Sequence, residues 1–143
     1  MKEQTLTIIK PDAVEAGAIG QIIDRLISEG FTILGMKMLR MSKKQAEAFY
    51  EVHRERPFYQ SLTDYMSSGP IVVIALERDN AIQHLREVMG ATDPSQAKPG
   101  TIRAKFGTNI ERNAIHGSDA PETAARELAF FFTDYELIGN HNP

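Results

Sequence analysis

Among the four histidines of this 143-residue chain, His116 stands in the densest polar cluster, Asn113-Ala114-Ile115-His116-Gly117-Ser118-Asp119. A neutral imidazole near pH 7 is a competent nucleophile and needs little activation. Gly117 clears side-chain bulk beside the ring, and Ser118 and Asp119 offer hydrogen bonds. The same arrangement suits a histidine that merely caps or packs at a strand end. Glu127 falls eight residues after Asp119, in a helical pattern whose apolar face carries Ala124, Leu128 and Phe131. A carboxylate beside that face can hold His116 in one orientation, and equally can be a solvated helix glutamate.

Several further residues have types that suit a phosphate ligand. Lys10 ends the first apolar run, directly before Pro11-Asp12. A charge at the mouth of a buried strand either snorkels to solvent or faces a ligand at the sheet's end. Arg86 adjoins the apolar face of its helix, Thr92 follows that helix, and Arg103 and Asn113 lie farther along. Arginine presents forked donors to phosphate oxygens, and Thr and Asn add neutral ones, although any single arginine also fits ordinary surface charge. Phe58 follows Arg56-Pro57. An exposed ring there stacks on any nucleobase, while a buried one belongs to the core.

Other chemistries are excluded. The sequence has no Gly-x-x-x-x-Gly-Lys-Ser/Thr loop, no Gly-x-Gly-x-x-Gly and no His-Glu-x-x-His. His53, His84, His116 and His141 lie far apart, without metal-ligand spacing. With no cysteine there is neither a disulfide framework nor thiolate chemistry. The net charge of −3 argues against a general nucleic-acid or anionic-membrane binder but leaves room for a local basic pocket. The N-terminal residues lack the apolar core of a signal peptide, and no apolar run reaches membrane-spanning length, so the expected location is the cytoplasm.

The elements that must position these residues follow from hydrophobic spacing. The length and the 42% hydrophobic content predict one domain over 1–143, with no need of a metal or disulfide staple. Thr5-Leu6-Thr7-Ile8-Ile9 reads as a buried strand stopped by Pro11, and Ile19, Ile22, Ile23, Leu26 and Ile27 mark a helix ended by Gly30. Residues 31–39 form a second strand. Ser42 caps a helix running through Ala46, Phe49 and Tyr50 toward His53, and a short helix follows Pro57. The continuously apolar 71–76 reads as a central strand covered on both faces, and 81–89 as a helix. Periodicity fades over 90–113, a long irregular stretch of the kind that often carries function. A short strand near Ala114-Ile115 precedes a last helix from about 119–121 to 132, with Asp119 and Glu122 at capping-box spacing. The order predicts an α+β domain, a ferredoxin-like βαββαβ antiparallel sheet with extra helices and a long loop before His116.

Taken together the chain resembles the nucleoside diphosphate kinase family. The likeness is carried by Thr7-Ile8-Ile9-Lys10-Pro11-Asp12-Ala13-Val14, Arg56-Pro57-Phe58-Tyr59, Ser68-Gly69-Pro70, Gly90-Ala91-Thr92-Asp93-Pro94, Lys98-Pro99-Gly100-Thr101-Ile102-Arg103 and Asn113 through Asp119, in family order. The resemblance implies that His116 is the phosphorylated nucleophile, on Nδ1, and that Glu127 orients it, with Ser118 in support. Tyr50 would line the histidine's pocket. Lys10, Arg86, Thr92, Arg103 and Asn113 would contact phosphates or ribose. Phe58 would stack on the base, with Leu62 and Ile110 completing an apolar slot. Asp119 would help place Mg²⁺ through water. The implied reaction is ping-pong γ-phosphoryl transfer from a nucleoside triphosphate to a diphosphate, maintaining nucleotide pools. Asp93 stands where the family commonly has Asn, and Tyr59 where it has Phe. The chain resembles the bacterial-type members with a short C-terminus, for which a homo-oligomer, tetramer or hexamer built from dimers, is expected. Two other readings remain at this point: a ferredoxin-like regulatory module that would not need His116, and a secondary nucleic-acid role.

Overall fold

The computed structural model describes residues 2–138, so His141 lies outside the described residues. Four strands form one antiparallel sheet: β1 (Lys2–Ile9), β2 (Thr32–Leu39), β3 (Ile71–Asp79) and β4 (Ile115–Gly117), in spatial order β2-β3-β1-β4. Seven helices surround it: α1 (Pro11–Glu15), α2 (Ile19–Ser28), α3 (Lys43–Phe49), α4 (Tyr59–Met66), α5 (Ala81–Met89), α6 (Ile102–Phe106) and α7 (Pro121–Phe131). β1-α2-β2 and β3-α5-β4 are the two halves of a ferredoxin-like α+β core, and α3 and α4 are inserted between β2 and β3.

Strand alternation sorts the core into two layers. Leu6 and Ile8 with Ile71, Val73 and Ala75 face one cluster, built with Phe49, Tyr65, Met66, Leu128 and Phe131 of α3, α4 and α7. Ile9 with Val72, Ile74 and Leu76 faces the other, built with Ile22, Leu26, Leu85 and Met89 of α2 and α5. β3 is therefore covered on both faces, as its unbroken apolar run predicts. Near the sheet edge, β2 shifts register between Ile33 and Gly35. A Cβ at Gly35 would sit 2.9 Å from Glu136 O, so only glycine lets the C-terminal segment close on this strand.

Several local expectations change. α1 is a five-residue helix the periodicity does not announce: Pro11 occupies its first turn, where a missing N–H costs nothing, and the helix is too short to show a repeat. α3 ends at Phe49, and 51–53 tightens into a 3-10 turn. Ser42 does cap α3, through a full capping box with Gln45. The 119/122 box does not form, because the N-cap of α7 is Ala120, and Asp119 is left exposed one residue outside the helix. Segment 90–113 is not uniformly irregular: Asp93 caps a 3-10 turn at Pro94–Gln96, and Thr101 caps α6. The last strand begins one residue later than expected and includes His116 itself.

Candidate active site

β4 fixes His116. It pairs with the end of β1 in the register Thr7↔Gly117, Ile8↔His116 and Ile9↔Ile115. The Thr7 hydroxyl donates to His116 O at 2.7 Å. Alternation turns Ile115 into the α2/α5 layer and the His116 ring toward α3 and α7, edge-on to Phe49 (centroids 5.5 Å apart) and Tyr50 (6.1 Å). Gly117 faces the opposite layer. A Cβ there would approach Leu85 Cδ2 and Met89 Sδ to 2.9 Å, so this glycine allows β4 to lie against α5 rather than clearing space beside the ring.

His116 Nε2 and Glu127 Oε1 are 2.8 Å apart, and the Ser118 hydroxyl donates to the same oxygen at 2.8 Å. Ser118 is fully buried and Glu127 nearly so. A carboxylate can only accept, so Nε2 carries the proton and Nδ1 keeps its lone pair. This tautomer is what a nucleophilic imidazole needs, and the buried carboxylate favours the positive ring that forms when Nδ1 is substituted.

A cavity of about 370 Å³ opens in front of the ring. Its lining includes eleven of the thirteen residues singled out in the sequence: Lys10, Tyr50, Phe58, Leu62, Arg86, Thr92, Arg103, Ile110, Asn113, His116 and Asp119. Ser118 and Glu127 stand behind the imidazole instead. Lys10, just past β1, reaches Asn113 Oδ1 at 2.8 Å, and Asn113 Nδ2 donates to Thr92 O at 2.9 Å. Arg103 Nη1 and Nη2 donate to Gly90 O and Ile115 O at 3.1 and 2.7 Å, tying α6 to α5 and β4, while Nε is buried with no partner among the described residues. Phe58, beside His53 (centroids 5.4 Å apart), is 44% exposed and Ile110 is 61% exposed, so the cavity's outer part has an apolar rim.

The electrostatics favour an incoming polyanion. Burial, with Arg103 nearby, lowers the Lys10 pKa to about 8 despite the opposing fields of Asp12 and Glu111. Burial and the neighbouring Arg86 lower Arg103 to about 10. Three cations converge on one cavity of an otherwise acidic chain, against only Glu111 and Asp119. The Tyr50 hydroxyl, buried beside Glu127, is pushed well above the phenol range, stays neutral and has no partner among the described residues. A hydroxyl or arginine nitrogen left in this condition is costly unless something docks on it.

The structure adds residues that sequence reading assigns no role. Thr7, His53, Met89 and Glu111 touch the histidine or line the cavity. Asp12, held by the Tyr65 hydroxyl, grips the chain beside Asn113 at Ala114 N–H. Asp12 belongs to a motif visible in the sequence, but its partners are 53 and 102 residues away, a pairing only the fold discloses. Among the described residues no three His, Cys, Asp or Glu side chains converge as a metal cage, and no helix is long and apolar enough to cross a membrane.

The family model for nucleoside diphosphate kinase matches residues 3–137. A nucleoside diphosphate kinase of Desulfatibacillum aliphaticivorans is 61% identical over 137 residues, 96% of this chain and 99% of the relative. One of a Nitratiruptor species is 57% identical over 136 residues, 95% of this chain and 99% of the relative. The chain also superimposes on the crystal structure of the Aquifex aeolicus nucleoside diphosphate kinase with TM-score 0.95, at 51% identity and over 96% and 99% of the two chains. A halophilic nucleoside diphosphate kinase from Halobacterium salinarum, solved in complex with CDP, gives 0.92 at 39% identity, over 96% and 91%.

Proposed function

Because the chain belongs to the nucleoside diphosphate kinase family, we propose that it moves γ-phosphoryl groups between nucleotides through His116, and that all of 1–143 serves this one activity as a single domain. The observation that carries the residue assignment is the Nε2–Glu127 hydrogen bond, which leaves Nδ1 free at a cavity lined by Lys10, Arg86 and Arg103.

In the first half-reaction the Nδ1 lone pair attacks the γ-phosphorus of a triphosphate. The bond to the β–γ bridging oxygen breaks, and that oxygen leaves with the diphosphate. The substituted ring is positive, and Glu127, supported by Ser118, offsets that charge from behind. A second diphosphate then attacks the phosphohistidine from the same cavity and restores the free imidazole. Such transfers depend on in-line positioning and charge neutralisation more than on covalent machinery. Lys10, Arg86 and Arg103, with Thr92 and Asn113, are assigned to the phosphates and ribose, and the Tyr50 hydroxyl to the transferring group. Phe58, Leu62 and Ile110 are assigned to the base, whose face stacks without regard to its identity.

Mg²⁺ fits this donor set only as an ion that arrives on the phosphates, because the two carboxylates at the cavity, Glu111 and Asp119, belong to no group of three metal-ligating side chains among the described residues. Mg²⁺ keeps several waters, so contact with Asp119 through water suits it. When bound, the ion neutralises phosphate charge and orients the chain of phosphates.

The proposal includes a homo-oligomer, tetramer or hexamer built from dimers, working in the cytoplasm. The exposed Met36 and Met38 on the edge strand β2 support self-association. A solution mass measurement checks the assembly. The function is tested by incubation with Mg²⁺ and ATP labelled at the γ-phosphate. An acid-labile, base-stable phosphoprotein, absent in His116→Ala and discharged by any added diphosphate, is expected. An unlabelled wild-type protein would refute the assignment.

A further inference from the structure

Ala114 holds a backbone torsion that a residue with a Cβ rarely adopts. Its φ is +74°, and Ile115 N–H donates across it to Asn113 O at 2.9 Å. A hydrogen bond from i+2 to i closed over a positive φ is the rare, strained form of the γ-turn. The only other positive φ outside glycine among the described residues is at Asn80, a residue type that tolerates it. The strained peptide lies between two groups that matter here: Asn113 points at Lys10, and Ile115 leads directly to His116.

Strain of this kind persists only where the surroundings over-determine it. At Ala114 the surroundings are Lys10-Pro11-Asp12. Lys10 N–H donates to Ala114 O at 2.9 Å, and Ala114 N–H donates to Asp12 Oδ2 at 3.1 Å. Lys10 Nζ reaches Asn113 Oδ1. Asp12 is itself held, since the Tyr65 hydroxyl donates to Oδ1 and accepts from Asp12 N–H at 2.8 Å. The Tyr65 ring is buried, with the Arg112 guanidinium 4.8 Å from its centroid. Neither Asp12 nor Tyr65 lines the cavity. His116 has separate supports in β1 pairing, the Thr7 hydroxyl and Glu127.

We infer that Asp12, braced by Tyr65, is a positioning residue: it holds the Ala114 turn and so aligns the Lys10–Asn113 pair for the nucleotide's phosphates, without supporting the nucleophile. The inference rests on the nucleotide reading of the cavity given above. It separates two routes to a phosphorylated His116. A nucleoside triphosphate must engage Lys10 and Asn113, whereas phosphoramidate, a small donor with no polyphosphate chain, needs little beyond the imidazole.

The test measures phosphorylation of His116 by Mg²⁺ and ATP and, separately, by phosphoramidate. Wild type is compared with Asp12→Ala, Tyr65→Phe, Ala114→Gly and the Asp12→Ala/Ala114→Gly double variant. Asp12→Ala is expected to lower kcat/KM for ATP about 10- to 100-fold, the scale of a small misplacement at a phosphoryl-transfer site, mostly through KM. Its rate with phosphoramidate should stay at the wild-type value. Ala114→Gly should restore most of the ATP-driven rate in the Asp12→Ala background, because glycine takes the positive φ without a clamp. A merely structural aspartate would lower the rates with ATP and phosphoramidate alike. Tyr65→Phe should lose less in the same direction, and it carries the test if Asp12→Ala does not fold. A wild-type ATP rate in both Asp12→Ala and Tyr65→Phe, equal losses with the two donors, or no rescue by glycine would each overturn the inference. If the wild type takes phosphoryl from neither donor, or from phosphoramidate alone, the phosphotransferase reading falls and takes this inference with it.

Discussion

Nucleotide binding is expected to draw a proton onto Lys10. In the free protein burial and Arg103 hold this ammonium at about 8. A polyphosphate brings several negative charges to Nζ, and opposite charge favours the protonated form, so binding returns the group toward the ordinary lysine value of about 10.4. The uptake equals the neutral fraction that disappears, roughly 0.1 proton per site at pH 7, about 0.5 at pH 8 and about 0.9 at pH 9. Phosphate oxygens, with a second pKa near 6, still hold about 0.1 proton at pH 7 but almost none at pH 8–9, so the uptake is read at pH 8–9. Calorimetric titration with ADP in two buffers of contrasting ionisation enthalpy reads the number directly. Lys10→Met should abolish the uptake at pH 8, where Arg103, held at about 10, is already protonated. A binding enthalpy independent of buffer at pH 8–9, or a full uptake at pH 8 in Lys10→Met, would show that Lys10 does not charge on binding. The same lowering has a counterpart in stability. The folded pKa lies below the unfolded one, so the unfolded chain binds more protons between pH 8 and 10.5. The ligand-free protein carries a cost of about 3 kcal/mol below pH 8 and sheds it as pH rises through that window.

Other outcomes follow from the same geometry. Glu127→Gln keeps an acceptor at Nε2 but removes the charge that offsets the positive ring. Phosphorylation of His116 should slow about 10- to 100-fold in single-turnover experiments, with circular dichroism unchanged. Phe58→Ala removes a stacking face worth about 1–3 kcal/mol, so KM should rise by a similar factor for purine and pyrimidine nucleotides. A rise confined to one base class would contradict base-blind stacking. Gly117→Ala drives a methyl to 2.9 Å from Leu85 and Met89 and should destabilise the fold by about 1–3 kcal/mol in urea unfolding.

The parts of this molecule that were legible in sequence are those written in local pattern. The apolar run of β3 announces a strand buried on both faces, and Ser42 with Gln45 announces the start of α3. The ordered motifs around Lys10, Phe58, Thr92, Arg103 and His116 announce residues that meet at one cavity, although they come from five different stretches of chain. What stayed hidden has long-range or backbone causes. Asp119 has the spacing of a helix cap, but Ala120 takes that place in extended conformation, and the aspartate faces the cavity instead. Gly117 reads as room for the ring, yet its neighbours are on the far side, in α5. The positive φ of Ala114 leaves no mark in residue type, since alanine is the last place a left-handed turn would be sought. The tautomer of His116 depends on a carboxylate eleven residues on, inside α7, which spacing alone assigns equally to solvent.

Glu127 holds Nε2 of His116, and the proposed phosphoryl carrier is therefore Nδ1. This assignment is tested most directly by nitrogen-15 and phosphorus-31 NMR of the phosphoprotein formed from Mg²⁺ and ATP with labelled histidine. A single phosphohistidine is expected, at His116, with phosphorus coupled to Nδ1 and a proton retained on Nε2. Phosphorus on Nε2, or on any other residue, would contradict it.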